Sequence, residues 1–258
     1  MIKINRLYSE PEIFTPISFD FGVNIIMGEK SEKTNKKIGV GKSTGTKLIS
    51  ACGNINKPGV YEIDMTISVE EFIYSDEYCG GIKGGKQLKA CIPGGSSVPI
   101  LPANLLLKTA TGETRYMNYE SLSDGGFATG SMLGSGGFIV LDEDQCIVKN
   151  TLTLARFYRH ESCGQCSPCR EGTGWMEKIL HKIEHGHGTI ADIDLLWDIQ
   201  RKIEGNTICP LGDAAAWPVA AAIRHFRDEF EWHINNPVLS QTSNFGLQHY
   251  ADPIHVPA

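Results

Sequence analysis

Cys163, Cys166 and Cys169 stand in the run ESCGQCSPCREG, and a fourth cysteine, Cys209, follows in TICPLGDAAAW. Three thiolates spaced CxxCxxC can take three corners of a cubane iron–sulfur cluster and leave the fourth to a distant segment. Zinc also accepts four cysteines, but its sites usually pair two CxxC knuckles. Here the split is three plus one. Pro210 follows Cys209 as proline follows the last cysteine of bacterial ferredoxin runs. One [4Fe-4S] cluster on Cys163, Cys166, Cys169 and Cys209 is the leading expectation, and a zinc-stabilised interaction domain is the alternative. Gly164, Ser167, Gly172 and Gly174 are small enough to let backbone amides approach the sulfides. Arg170 is either a cation beside an anionic cluster or a surface arginine.

The remaining chemistry-bearing residues carry weaker signals. Cys52, Cys79, Cys91 and Cys146 are scattered singly and read as small buried residues. GVGKST at Gly39–Thr44 ends like a phosphate-binding loop, in which Lys42 and Ser43 would meet phosphate and magnesium. The glycine that should open that pattern is Lys36, and the segment after Lys42 reads as a strand where a helix is required. The glycine runs GGFATG and GSMLGSGG precede a strand rather than follow one, which argues against a dinucleotide loop and for tight packing. His185 and His187 in EHGHG read as a polar turn between helices. No nucleophilic triad is evident, so no catalytic residue is assigned.

These residues must be positioned by elements of two textures. From about Gly45 to Leu141 the chain is rich in glycine, proline and β-branched residues. KLISACGNI and GVYEIDMTI read as strands joined by a turn at Asn56 to Gly59. SVEEFIYSDEYCGG reads as a helix with Ser68 as N-cap and Glu71 at the third helical position. GGKQLKACIPGG and GGFIVLDED add two strands, which suggests a β-grasp-like fold. From Asn150 the apolar spacing turns helical, with Thr189 as an N-cap and Pro218 just inside the start of the last helix. The cluster ligands would then sit on loops and helix starts of a four-helix assembly. The fold class is α+β: a small β-grasp-like domain, then a four-helix-type iron–sulfur domain, preceded by a short β segment. The expected divisions are 1–44, 45–148, 149–234 and a tail over 235–258. Within the first division lie two expected strands, INRLY and ISFDFGVNIIM, and a lysine cluster at Lys30, Lys33, Lys36 and Lys37.

Composition narrows the class further. The 258 residues carry a formal charge of −6 and 41% hydrophobic residues. No basic stripe exists to neutralise phosphates, so a nucleic-acid partner is not expected. No apolar run approaches the length of a membrane span and no secretory leader is visible, so a soluble chain in a reducing compartment is expected.

ESCGQCSPCREGTGW and NTICPLGDAAAWPV, together with GTKLISACGNINKPGVYEI, IPGGSSVPIL and GSMLGSGGFIVLDE, resemble the F-type flavoprotein component of proton-pumping NADH:quinone oxidoreductase, complex I. Diaphorase subunits of NAD-reducing hydrogenases and formate dehydrogenases share these motifs. The resemblance runs from about Thr44 to Trp232. It implies a soluble-ligand-binding β-grasp (SLBB) domain and a domain holding one [4Fe-4S] cluster through the four cysteines. It also implies electron flow from NADH through FMN to the cluster and on toward quinone. The implied partners are the two-iron-cluster subunit and the large iron–sulfur subunit, and the implied location is cytoplasmic, peripheral to the membrane within a complex. The family's FMN and NADH domain, with its GRGGAGFP loop, has no counterpart in this sequence. Met1 to about Thr44 instead resembles the opening strands of AAA/SMC-like P-loop ATPases, so the chain reads as a junction of two unrelated genes. Without the flavin site it is not expected to oxidise NADH alone.

Overall fold

The computed structural model describes residues 39–236. The expected strands INRLY and ISFDFGVNIIM, the lysine cluster from Lys30 to Lys37 and most of the tail lie outside them.

Among the described residues the chain opens with a two-residue hairpin, β1 (Gly39–Val40) and β2 (Ser43–Thr44), with Gly41 and Lys42 at the turn. The backbone amide of Lys42 donates to Glu120 Oε1 at 3.0 Å, and the Ser43 hydroxyl donates to Glu120 Oε2. A phosphate-binding loop needs its backbone amides for phosphate and this hydroxyl for magnesium. Here a carboxylate has taken both, and the next element is a strand. The nucleotide-binding alternative has no support in this geometry.

Five strands then form one mixed sheet in the order β4-β3-β7-β5-β6. β3 (Thr46–Gly53) pairs antiparallel with β4 (Gly59–Asp64), the hairpin that the sequence predicts. β7 (Gly137–Asp142) runs parallel to β3 and antiparallel to β5 (Leu88–Ile92), and β6 (Leu101–Pro102) closes the edge. Inserted among them are four short helices: α1 (Val69–Tyr74), α2 (Ala103–Leu107), α3 (Tyr119–Ser123) and α4 (Gly126–Thr129). The Ser68 hydroxyl caps α1 by accepting the Glu71 amide at 3.0 Å.

β3 shows why Cys52 departs from expectation. Alternation along the strand buries Ile49 and Ala51 and turns Leu48, Ser50 and Cys52 to the open face, so Cys52 is exposed while Cys79, Cys91 and Cys146 are buried. The two central strands are covered on both sides. Phe138 and Val140 of β7 and Cys91 of β5 face a core that includes α1, whereas Ala90, Ile92 and Leu141 face the helical half. That two-sided burial is the reason LKACI reads as an unbroken strand. Its one polar member, Lys89, sits at a bulge where the register with β7 shifts.

The glycine runs serve close approach. A Cβ on Gly94 would stand 2.2 Å from the Met132 carbonyl oxygen, and one on Gly134 would stand 2.4 Å from that of Gly94. Two backbone segments can meet there only because neither carries a side chain.

Four helices complete the described chain: α5 (Ile147–Glu161), α6 (Ser167–Glu184), α7 (Ile190–Ile203) and α8 (Leu211–Asn235). Thr189 and Asp192 form a reciprocal capping box on α7. Leu152, Tyr158, Met176, Leu180, Leu196 and Phe230 share one buried core with the sheet residues Ala90, Ile92 and Leu141. The last helix begins at Leu211, so Pro218 lies in its interior rather than at its start. The early start is anchored by Asp213, whose Oδ1 accepts the Gly205 amide at 2.7 Å. The helical half and the sheet, taken together, make an α+β fold.

Candidate functional site

The four cysteines lie on the segments where α5 ends and where α6 and α8 begin. Cys166 is the N-cap of α6 and Cys169 lies in its first turn, with Pro168 between them, so two sulfurs share one face one turn apart. Cys163 precedes them in a tight loop in which Gly164 adopts φ +78°, a conformation that glycine takes without strain. Cys209 lies just ahead of α8. Its neighbour Ile208 donates its amide to Cys166 Sγ at 3.4 Å, which brings the distant segment onto the CxxC loop. Thr207 Oγ1 donates to the Cys209 carbonyl at 2.9 Å and holds that approach. None of the four is in a disulfide; Cys163 and Cys209 are exposed, Cys166 half-buried and Cys169 buried.

Polar groups meet two of the four sulfurs, Cys166 and Cys169. Ser162 Oγ lies 3.2 Å from Cys169 Sγ, and the first-turn amides of α6 add the positive end of a helix dipole. Arg170 does more than sit at the surface. Its Nη1 donates to the Gly164 carbonyl at 2.8 Å, its Nη2 to Ser167 Oγ at 3.3 Å and its Nε to Glu171 at 2.9 Å. The guanidinium therefore staples the Cys163–Cys166 loop to the start of α6. Gly172 has a different task from the expected one. A Cβ there would lie 2.7 Å from Ile203 Cδ1, so its smallness serves the contact between α6 and α7 rather than access to the sulfides. Gly212 likewise makes room for Thr207.

Free thiols at the starts of α6 and α8, with an N–H group on Cys166 and a hydroxyl beside Cys169, are a donor set that suits an anionic cubane cluster.

The comparisons with known proteins agree. Residues 149–233 match the NADH-ubiquinone oxidoreductase-F iron-sulfur binding region, and residues 47–139 match the SLBB domain. Over 198 residues, 76% of this chain, the sequence is 47% identical to the NADH-quinone oxidoreductase F subunit of Rickettsia bellii strain OSU 85-389. The matched segments belong to the NADH-quinone oxidoreductase F-subunit family. The F subunit of Rickettsia rickettsii strain Sheila Smith is similarly close, 47% identical over 77% of this chain. The chain spans only 45% of the length of each of these relatives. A crystal structure of an NAD+-reducing [NiFe]-hydrogenase in the air-oxidised state superposes with a TM-score of 0.65 at 27% identity. That match covers 78% of this chain and 32% of the hydrogenase chain. No helix among the described residues is long and apolar enough to cross a membrane.

A second cluster of side chains has no counterpart in the sequence reading beyond Cys146 itself. Cys146 Sγ, the N-cap of α5, lies 3.1 Å from His233 Nε2, and Glu229 joins them with a carboxylate oxygen within 4.8 Å. Glu229 is already engaged, accepting the Ile147 amide at 2.8 Å and pairing with Lys89 Nζ at 3.0 Å. Burial pushes the Cys146 thiol up and, with Lys89 adding to it, the His233 imidazole down to about 4. The group is a neutral thiol and imidazole beside a buried ion pair. His185 closes the α6–α7 turn with Nδ1 on the His181 carbonyl at 2.8 Å and its ring stacked on His181, as suits a turn between helices.

Proposed function

We propose that this chain is the electron-transfer part of the F-type flavoprotein component of an NADH:quinone oxidoreductase, holding one [4Fe-4S] cluster on Cys163, Cys166, Cys169 and Cys209. The observation that carries it is the amide of Ile208 on Cys166 Sγ at 3.4 Å, which joins the fourth cysteine's segment to the CxxCxxC loop. When bound, such a cluster takes and passes on one electron at a time. The chain's own residues hold the thiolates: α6 presents Cys166 and Cys169 on one face, Arg170 fixes the loop of Cys163, and Thr207 fixes that of Cys209. The half-exposed setting suits a group that must exchange electrons across a surface.

In the full assembly the electrons come from FMN reduced by NADH and leave toward quinone. The neighbours are the two-iron-cluster and large iron–sulfur subunits, at the cytoplasmic face of the membrane. The quinone-linked complex is preferred over an NAD-linked hydrogenase as parent because identity to the quinone-linked relative is 47% against 27% to the hydrogenase. The NADH and FMN chemistry is assigned to the part of the relatives' length that this chain does not span, so this part by itself is expected to give no NADH turnover.

Anaerobic reconstitution with iron and sulfide tests this. About four of each per chain and a paramagnetic signal on reduction are expected for a single cubane. Stoichiometric zinc without sulfide overturns it, and so does unchanged cluster content in a Cys209→Ser chain. FMN and NADH added to the reconstituted chain should give no turnover. Robust turnover would place a flavin site where none is assigned.

A further inference from the structure

We propose that Ser162 is a positioning residue that sets the reduction potential of the cluster, by donating its hydroxyl hydrogen to the Cys169 sulfur. The inference rests on the cysteine assignment above and goes beyond it. Ser162 is the C-cap of α5, and its amide is committed to the Tyr158 carbonyl at 3.1 Å, which fixes the backbone. Its Oγ stands 3.2 Å from Cys169 Sγ and also accepts the Gly164 amide at 3.4 Å. An N–H can only donate, so that contact occupies a lone pair of the oxygen and leaves the hydroxyl hydrogen for another acceptor. A thiolate bound to iron carries no proton and can only accept. The order Gly164 N–H to Ser162 Oγ–H to Cys169 Sγ is thus the one that the chemistry permits.

The other contacts set Ser162 apart. Cys166 receives its hydrogen bond from a backbone amide, which side-chain exchange leaves in place. Cys163 and Cys209 are exposed, where water competes for the sulfur. Cys169 is buried at 7% exposure, so a donor to its sulfur acts in a medium of low polarity. Hydrogen bonds to cluster sulfurs stabilise the added electron and raise the potential.

The experiment compares the wild-type chain with Ser162→Ala and Ser162→Thr, all reconstituted anaerobically. Iron and sulfide are counted, and the midpoint is read by potentiometric titration of the paramagnetic signal. The alanine chain should bind wild-type iron and sulfide but hold its electron about tenfold more weakly, a midpoint ~59 mV lower for a one-electron couple. The threonine chain, which keeps the hydroxyl, should titrate with the wild type. An alanine chain with a full cluster and an unchanged midpoint overturns the proposal. One that cannot hold its cluster, folded or not, assigns the hydroxyl to structure and overturns it too. Failure of the wild-type chain to take up iron and sulfide strikes the cysteine assignment instead.

Discussion

Lys89 Nζ lies 3.0 Å from Glu229 Oε2, with both side chains almost wholly buried, so a strand of the sheet and the last helix meet through an ion pair inside the protein. Lys89 Nζ also donates to the Gln145 carbonyl at 2.6 Å, and Glu229 accepts the Ile147 amide, so both ends of the pair hold the segment leading into α5. Removing one partner strands the other charge. Glu229→Gln or Lys89→Met alone should destabilise the fold by about 3–5 kcal/mol in urea titration. The double change Lys89→Met with Glu229→Leu should cost clearly less than the two single costs added. Full additivity would mean that the pair is not coupled.

Acid should loosen the same region. His233 is neutral in the fold with its pKa held down to about 4, against an ordinary 6.5. Between those values the unfolded chain binds a proton that the native chain refuses, so stability is complete above about pH 6.5 and declines as pH falls toward 4. For His233 the loss across that window is about 3 kcal/mol. Glu184, whose pKa burial raises, works in the opposite direction and gains stability on protonation. Urea midpoints at pH 7 and pH 5 should therefore differ, and His233→Gln should reduce the difference, leaving the share of His225, which burial and Arg224 also hold down to about 4. An unchanged slope in that variant would locate the acid sensitivity elsewhere.

Gly172 separates packing from cluster chemistry. A methyl group there meets Ile203 Cδ1 and Cγ1 at 2.7 Å, so Gly172→Ala should cost about 1–3 kcal/mol through overpacking of α6 against α7. Shortening the neighbour restores the space. Gly172→Ala combined with Ile203→Val should recover part of the lost stability, as judged by thermal melting. No recovery would point to backbone contacts instead.

Arg170 should govern how long a cluster stays. Its fork holds both the Gly164 carbonyl and Ser167 Oγ, a planar geometry that lysine does not reproduce. Arg170→Lys keeps the charge and Arg170→Gln removes it, yet both lose the staple. Each should release iron to a chelator several-fold faster than wild type at nearly unchanged overall stability. A lysine chain with the wild-type release rate would show that charge alone matters.

Much of this is legible in the sequence because it rests on local chemistry. Ser68 with Glu71, and Thr189 as a cap, are short-range hydrogen-bond patterns. The CxxCxxC loop carries its geometry in its spacing. The strands are visible through β-branched and apolar runs bounded by Gly and Pro. The features that escape a sequence reading depend on residues far apart in the chain. Cys146 meets His233 across 87 positions, and Lys42 meets Glu120 across 78. Arg115, wholly buried, donates to the carbonyls of Leu105, Leu122 and Thr129, and its lone positive charge in a polar stretch gives no hint of this. Gly172 misleads because nearness to the cysteines in sequence hides its contact with Ile203. Pro218 suggests a helix start by a rule for first turns, but the earlier anchoring at Asp213 has already begun the helix.

Ile208 faces two ways at once: its amide points at the Cys166 sulfur while its side chain is 84% exposed. A donor made of main chain is the same whichever side chain stands at that position. Selection can therefore rewrite the outermost residue above the cysteines, apolar to polar or small to large, without altering the hydrogen bond beneath it. Exposure at this position and the contact with the sulfur are thus independent of one another, one belonging to the side chain and the other to the main chain.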